Sequence, residues 1–260
     1  MSVDKKAMDL LLNASKKGKP CAPIRDIIGE DNIQGAYDLQ EAINALRIAE
    51  GAKQVGAKIG VTSRAVQEQF NLKQPDYGVL FDDMHIATGA TIPWKDLIQP
   101  KVEAEVAFII NKDLEGAPIS RVKLIGSIKA AYVAIEIVDS RIKDWDIAIT
   151  DTIADNASSS HFVLGERATM LTEVDLQRAR MELKKNGEVS SKGMASNSLD
   201  SPINALLWLA NKMCELGSPL REGSIILSGA LGPVVDVSPG DVIEASIEGL
   251  GSCSVTFGKK

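Results

Sequence analysis

Val102-Glu103-Ala104-Glu105-Val106-Ala107-Phe108-Ile109-Ile110 sets two carboxylates into an otherwise apolar run. Successive side chains on a strand point to opposite faces. Glu103 and Glu105 therefore share one face with Ala107 and Ile109, while Val102, Ala104, Val106, Phe108 and Ile110 make the other. A strand that is apolar on both faces belongs inside a sheet covered on both sides. Two carboxylates at one end of it need compensation, because burying an unpaired charge is very costly. A bound cation is the simplest source.

A third acid lies downstream. Glu136 is an isolated charge in Ala131-Tyr132-Val133-Ala134-Ile135-Glu136-Ile137-Val138, a second apolar and β-branched run. Three glutamates without a nearby His or Cys form a hard, all-oxygen ligand set that suits Mg²⁺ or Mn²⁺ and argues against zinc or copper. The residues alone leave a second reading open, in which the three acids sit on exposed strand faces paired with Lys or Arg.

Working outward, Asp4 to Lys17 reads as a helix with Met8, Leu11 and Leu12 as its apolar stripe, ended by Gly18 and Pro20. A second helix is expected from Tyr37 to Glu50, with Leu39, Ile43 and Leu46 at helical spacing and Gly51 as the stop. Gly56 to Val61 reads as a short strand, Ser63 to Phe70 as a helix, and Pro75-Asp76-Tyr77-Gly78 as a turn. From Gly89 onward short β segments dominate, including 101–111, 130–139, 179–184, 224–228 and 241–248. One helix interrupts them, opened by Ser201-Pro202 and closed by Gly217. The division expected is a small helical N-terminal region, 1–80, and a β-dominated domain, 81–260.

The chain has 260 residues, 45% hydrophobic and 25% charged, the profile of an ordinary globular protein. A net charge of −6 gives no reason to expect nucleic acid or an anionic membrane as partner. No apolar run reaches the roughly 18 residues of a membrane span. Met1 to Lys6 leads into no apolar stretch of the signal-peptide kind. Cys21, Cys214 and Cys253 are far apart and odd in number, which suits a reducing compartment. The expectation is a cytoplasmic protein. No glycine-rich phosphate loop opens a helix after a strand, so no nucleotide cofactor is expected.

Two further groups can do chemistry. Lys58, in Gly56-Ala57-Lys58-Ile59-Gly60, has small neighbours that admit a ligand. It reads either as a carboxylate- or enolate-binding ammonium or as a strand-end lysine reaching solvent. Asp76 reads either as a turn cap or as a base. Asp155-Asn156-Ala157-Ser158-Ser159-Ser160 offers amide and hydroxyl donors, but its composition favours a solvated loop. His85 and His161 fall in no metal-spaced or triad pattern and read as structural, as do the scattered Trp94, Trp145 and Trp208.

Taken together and in order, Lys58–Ser63, Gln74–Gly78, Gln99–Glu105, Ala134–Arg141, Asp155–Ser158 and Leu227–Gly232 resemble the 2-oxopent-4-enoate (2-hydroxypenta-2,4-dienoate) hydratases of the fumarylacetoacetate hydrolase superfamily. The resemblance covers nearly the whole chain. It implies an α+β fold, a distorted mixed-β barrel or roll with a small helical N-terminal region. It also implies a divalent metal, Mg²⁺ or Mn²⁺, on Glu103, Glu105 and Glu136. The family's active-site lysine falls on Lys58 and its acid on Asp76; substrate contacts fall on Asn156, Ser158 and the backbone near Leu80. The implied substrate is a small 2-oxo or 2-hydroxy dienoic acid, hydrated to a 4-hydroxy-2-oxo acid.

The superfamily also contains 4-oxalocrotonate decarboxylase, with the same triad and lysine, and a dioate hydratase. Gln74–Gly78 and Asp151–Ser158 resemble the monoacid hydratases more closely. The resemblance further implies a homo-oligomer, and leaves open association with a related pathway enzyme or a non-catalytic partner role.

Overall fold

The computed structural model describes residues 3–63, 67 and 74–260. The helix expected over 63–70 lies largely outside the described residues. Among the described residues there are two sheets. The larger runs β2 (Asp76–Phe81), β1 (Gln54–Gly60), β10 (Ile225–Leu227), β5 (Pro100–Ile110), β6 (Ile128–Asp139), β7 (Ser159–Leu164) and β3 (His85–Ile86), with β11 (Val235–Asp236) paired to β5. The smaller runs β4 (Thr91–Ile92), β13 (Gly251–Phe257), β12 (Val242–Ile247), β8 (Arg180–Lys185) and β9 (Glu188–Met194). The β1/β10, β3/β7 and β4/β13 pairs are parallel and the others antiparallel.

The smaller sheet packs across β5 and β6. Val102, Ala104, Val106, Phe108 and Ile110 of β5 share one core with Ile243, Ala245, Val255 and Phe257 of that sheet. This is the even-numbered face of β5, as the alternation requires. The opposite face meets a different cluster, in which Ala107 and Ala134 lie with Leu80, Phe81, Phe162 and Leu227. The architecture is the expected α+β mixed-β roll. β1 and β2 are strands of the main sheet, however, so the boundary expected at residue 80 falls within it. The N-terminal run of helices ends at Ala49.

Three local expectations change. Asp76–Gly78 is not a turn. It begins β2, whose antiparallel pairing with β1 runs from Gly60↔Asp76 to Gln54↔Phe81. A partner strand outweighs the local turn preference of Pro-Asp. The second helix, α3 (Ile33–Ala49), starts a turn earlier than its apolar spacing suggests, because the Asn32 side chain accepts from the Gly35 N–H at 3.0 Å. In α1 (Lys5–Lys17) the buried stripe is Ala7, Leu11 and Ala14, while Met8 and Leu12 lie at its margins. α2 (Arg25–Ile28), α4 (Arg121–Ile125), α5 (Ile149–Ala154) and α6 (Pro202–Glu215) complete the helices described.

α1, α3 and α5 pack round a separate core of Ala7, Leu11, Ile24, Ala36, Leu39, Ile142, Ile153 and Ala154. Each large aliphatic side chain buried there contributes about 1.5–3 kcal/mol. Two buried polar groups tie this layer together, and the first also reaches the sheet. Gln40 of α3 donates to the Tyr77 carbonyl at 3.0 Å and to the Ile153 carbonyl at 2.8 Å. Asp151 of α5 accepts from the Ile24, Arg25 and Ala148 N–H groups at 2.7–2.9 Å, and pairs with Arg25 Nη1 at 2.7 Å.

Asp151→Ala leaves three backbone donors and one guanidinium short of an acceptor. We expect it to destabilise the protein by about 3 kcal/mol, read from urea unfolding. A loss below about 1 kcal/mol would mean that water replaces the carboxylate there.

Candidate active site

The register of β5 and β6 assembles the three glutamates. Glu103 lies directly opposite Glu136, and Glu105 lies opposite Ala134, two residues along the same face. One carboxylate oxygen from each falls within 4.8 Å of the others. Glu105 and Glu136 are fully buried and Glu103 is half-buried. Like charges facing each other across a ladder are destabilising, and here water screens them little.

Glu105 Oε2 accepts from the Gly229 N–H at 2.7 Å. Among the described residues, Glu105 Oε1 and both Glu136 oxygens have no hydrogen-bond donor. Burial, followed by the charge of Glu136, pushes the Glu103 carboxyl up to about 7. The same causes, with Glu103 added, hold Glu105 well above its ordinary range.

Lys58 comes from β1, where it sits opposite Gly78 of β2 and Leu227 of β10. It is buried, not solvent-reaching. Its Nζ lies 3.3 Å from Glu136 Oε1 and donates to the Ala157 carbonyl at 3.1 Å. Burial works against the charged form of Lys58. Glu136, Asp76, Glu103 and Glu105 outweigh it and raise the pKa, so Lys58 is an ammonium.

Asp76 opens β2 opposite Gly60, and its carboxylate lies across that glycine, where any Cβ would collide with Oδ1. Burial raises its pKa, Lys58 pulls it back, and Glu136 adds to the rise. Asp76 Oδ1 has no hydrogen-bond donor among the described residues.

The segment 155–160 is not the solvated loop its composition suggests. Asp155 to Ser159 are all buried, packed beside β2. Asn156 Oδ1 accepts from the Val79 N–H and Nδ2 donates to the Val79 carbonyl, both at 2.8 Å. The amide expected to meet a substrate is thus engaged with the β2 backbone. Ser158 Oγ lies 3.3 Å from Thr152 Oγ1. Leu80 is fully buried in the apolar cluster flanking the glutamates. Lys58, Asp76, Glu103, Glu105, Glu136 and the 156–158 segment therefore converge, through strand pairings of high sequence separation.

His85 and His161 stay outside this group. The His85 ring stacks on Phe162 at 5.0 Å, and His161 Nδ1 meets Ser160 Oγ at 2.8 Å. Sequence reasoning missed two contributors. Gly229 supplies the N–H to Glu105, and Arg141 is ion-paired with Asp155. Both lie inside segments already singled out, Leu227–Gly232 and Ala134–Arg141, but nothing in their residue types announced the contact.

Residues 45–257 match the model of the fumarylacetoacetate hydrolase C-terminal region. The chain belongs to the fumarylacetoacetate hydrolase family. It is 47% identical over 255 residues to the TodF product hydratase of Pseudomonas putida, covering 98% of this chain and 95% of that one. It is 46% identical to a 2-keto-4-pentenoate hydratase of Burkholderia vietnamiensis, covering 95% and 94%. Among solved structures it resembles 4-oxalocrotonate decarboxylase from Pseudomonas putida G7, complexed with magnesium and adipate. That match has a TM-score of 0.92, 31% identity and 99% coverage of both chains.

The family implies a divalent metal, and the residues present fit one. The donor set is all oxygen, and among the described residues three of the buried glutamate oxygens lack a donor and one ammonium faces Glu103, Glu105, Glu136 and Asp76. A hard dication supplies the missing charge.

The Glu103 pKa of about 7 exceeds its ordinary 4.5, so between those values the native state binds more protons than the unfolded chain. Stability from this source is present below pH 4.5 and lost as pH rises through about 7. A dication takes the place of the protons. We expect the rise in melting temperature caused by Mg²⁺ to grow from about pH 5 to about pH 8; a pH-independent rise would place the ion elsewhere. Glu105→Gln should weaken metal binding on the order of 100-fold by calorimetry. It should leave the metal-free protein no less stable, since one of three opposed charges is removed.

Proposed function

We propose that this chain is a metal-dependent hydratase, a hydro-lyase, acting on 2-hydroxypenta-2,4-dienoate, the enol form of 2-keto-4-pentenoate, to give 4-hydroxy-2-oxopentanoate. The observation that carries this reading is the buried Glu103/Glu105/Glu136 group with a lysine ammonium 3.3 Å away, in a chain about 46% identical to hydratases. Glu103, Glu105 and Glu136 would hold Mg²⁺ or Mn²⁺, which supplies Lewis-acid stabilisation of negative charge on the C2 oxygen.

The rest falls to the side chains. Lys58, fixed as an ammonium, binds the C1 carboxylate or the C2 oxygen and holds it toward the glutamates. Asp76 is buried, has one oxygen without a hydrogen-bond donor among the described residues, and has its pKa raised by burial, which favours its taking up and returning a proton. It serves first to convert the dienol into the conjugated 2-oxo-3-enoate. It then orients or deprotonates the water that adds at C4, while C3 receives a proton. The apolar wall of Leu80, Phe81, Phe162 and Leu227 beside the glutamates keeps the local dielectric low, which strengthens each of these charge interactions.

The Mg²⁺-bound decarboxylase of the same fold supports a second reading, since loss of CO₂ from an unsaturated 2-oxo dioate leaves a similar dienolate. The hydratase reading is preferred because the hydratases are the more similar in sequence. We further propose a cytoplasmic homo-oligomer. No described helix is long and apolar enough to cross a membrane, and all three cysteines are free thiols.

The test is ultraviolet loss of 2-hydroxypenta-2,4-dienoate after chelation and then with added Mg²⁺ or Mn²⁺. Restored consumption with 4-hydroxy-2-oxopentanoate as product is expected; consumption of the dioate alone, with release of CO₂, would select the decarboxylase. Lys58→Ala should lower turnover at least about 100-fold. It should leave metal affinity equal or higher, because a competing positive charge is gone. Near-normal turnover would remove Lys58 from the reaction.

A further inference from the structure

Asn156, Ala157 and Ser158 are three consecutive non-glycine residues with φ of 57°, 52° and 54°. Each costs on the order of 1 kcal/mol in the left-handed region, which L-residues ordinarily visit singly. Such a run persists only where its surroundings over-determine it.

Two clamps do so. The Asn156 amide closes on both backbone groups of Val79. Arg141 brackets the turn from the other side. Its Nε and backbone N–H donate to the Asp155 carboxylate and its Nη2 to the Asp155 carbonyl. Its Nη1 donates to the Asp139 and Ser159 carbonyls at 2.8 and 3.1 Å. The turn also presses against Gly78, where a Cβ would collide with the Asn156 carbonyl. The product of this construction is one carbonyl, that of Ala157, aimed at Lys58 Nζ. A lysine ammonium on a flexible four-carbon stem has no preferred direction of its own. Here Glu136 and the Ala157 carbonyl set it.

We propose that the left-handed 156–158 turn is the device that orients Lys58, with Asn156 and Arg141 as positioning residues acting through the Ala157 carbonyl rather than as groups that touch substrate. The kinetic part rests on the hydratase reading; the structural part does not.

Asn156→Gly removes the amide while keeping tolerance for positive φ. Asn156→Asp keeps an acceptor for the Val79 N–H alone, and supplies the same comparison should the glycine variant fail to fold. We expect kcat of Asn156→Gly to fall roughly 100-fold with KM within about threefold, and Asn156→Asp to lie between it and wild type. Combined with Lys58→Ala, Asn156→Gly should cost less than about a further twofold, because the group it orients is gone. Crystal structures of the metal-loaded variants should show Lys58 Nζ displaced from the carbonyl of residue 157.

A KM raised tenfold or more with kcat retained, or effects that multiply in the double variant, would make Asn156 a substrate ligand and overturn the proposal. So would an unmoved Lys58. Should the wild-type protein not consume the dienoate, the hydratase reading falls and the crystallographic comparison alone decides.

Discussion

Everything near the site depends on Glu103 and Glu136 facing each other across the β5/β6 ladder, with Glu105 alongside. Three carboxylates on one face of a doubly covered sheet are a local electrostatic defect. The fold tolerates it because the defect is partly answered from three directions: the Gly229 N–H, the Lys58 ammonium and proton uptake. Among the described residues several oxygens are still left without donors. Structural ion pairs are not built this way, since an unsatisfied buried acceptor costs about 1–3 kcal/mol. The arrangement makes physical sense as a socket for a cation.

The remaining elements hold groups against that socket. β1 and β2 are at the edge of the main sheet, and they carry Lys58 and Asp76. The helical layer steadies this edge. Gln40 binds the Tyr77 carbonyl, and the Tyr37 ring stacks on Tyr77 at 4.8 Å, next to Asp76 in sequence. Asp151 binds the start of α2 to the start of α5, and α5 runs directly into the left-handed turn beneath Lys58. The N-terminal helices thus reach the neighbourhood of the ammonium through packed, hydrogen-bonded contacts.

Asp76 and Lys58 are adjacent yet pushed in useful directions. Burial raises the Asp76 pKa above its ordinary value, while Lys58 is held charged by the acids around it. Both shifts follow from burial and from the number of carboxylates crowded into the site.

The strand carrying Glu103 and Glu105, its two apolar faces and the embedding of Glu136 were legible because period-2 alternation is a local property of the chain. The same holds for the capped helices at Asp4 and Ser201. The candidate ligand set was legible as a cluster of hard oxygen donors, because that much follows from residue type alone. What the sequence could not decide was partnership. Asp76-Tyr77-Gly78 looks like a turn until β1 lies beside it, and Asp155–Ser159 looks like a wet loop until β2 and Arg141 close over it. Asn156 offers an amide that reads as a ligand, but Val79 takes both ends of it. These outcomes depend on contacts between residues 14 to 77 positions apart. Local propensity fixes which groups exist and which way they alternate. Only tertiary packing decides which of them are left without partners, and among the described residues those include Asp76 Oδ1, Glu105 Oε1 and both oxygens of Glu136.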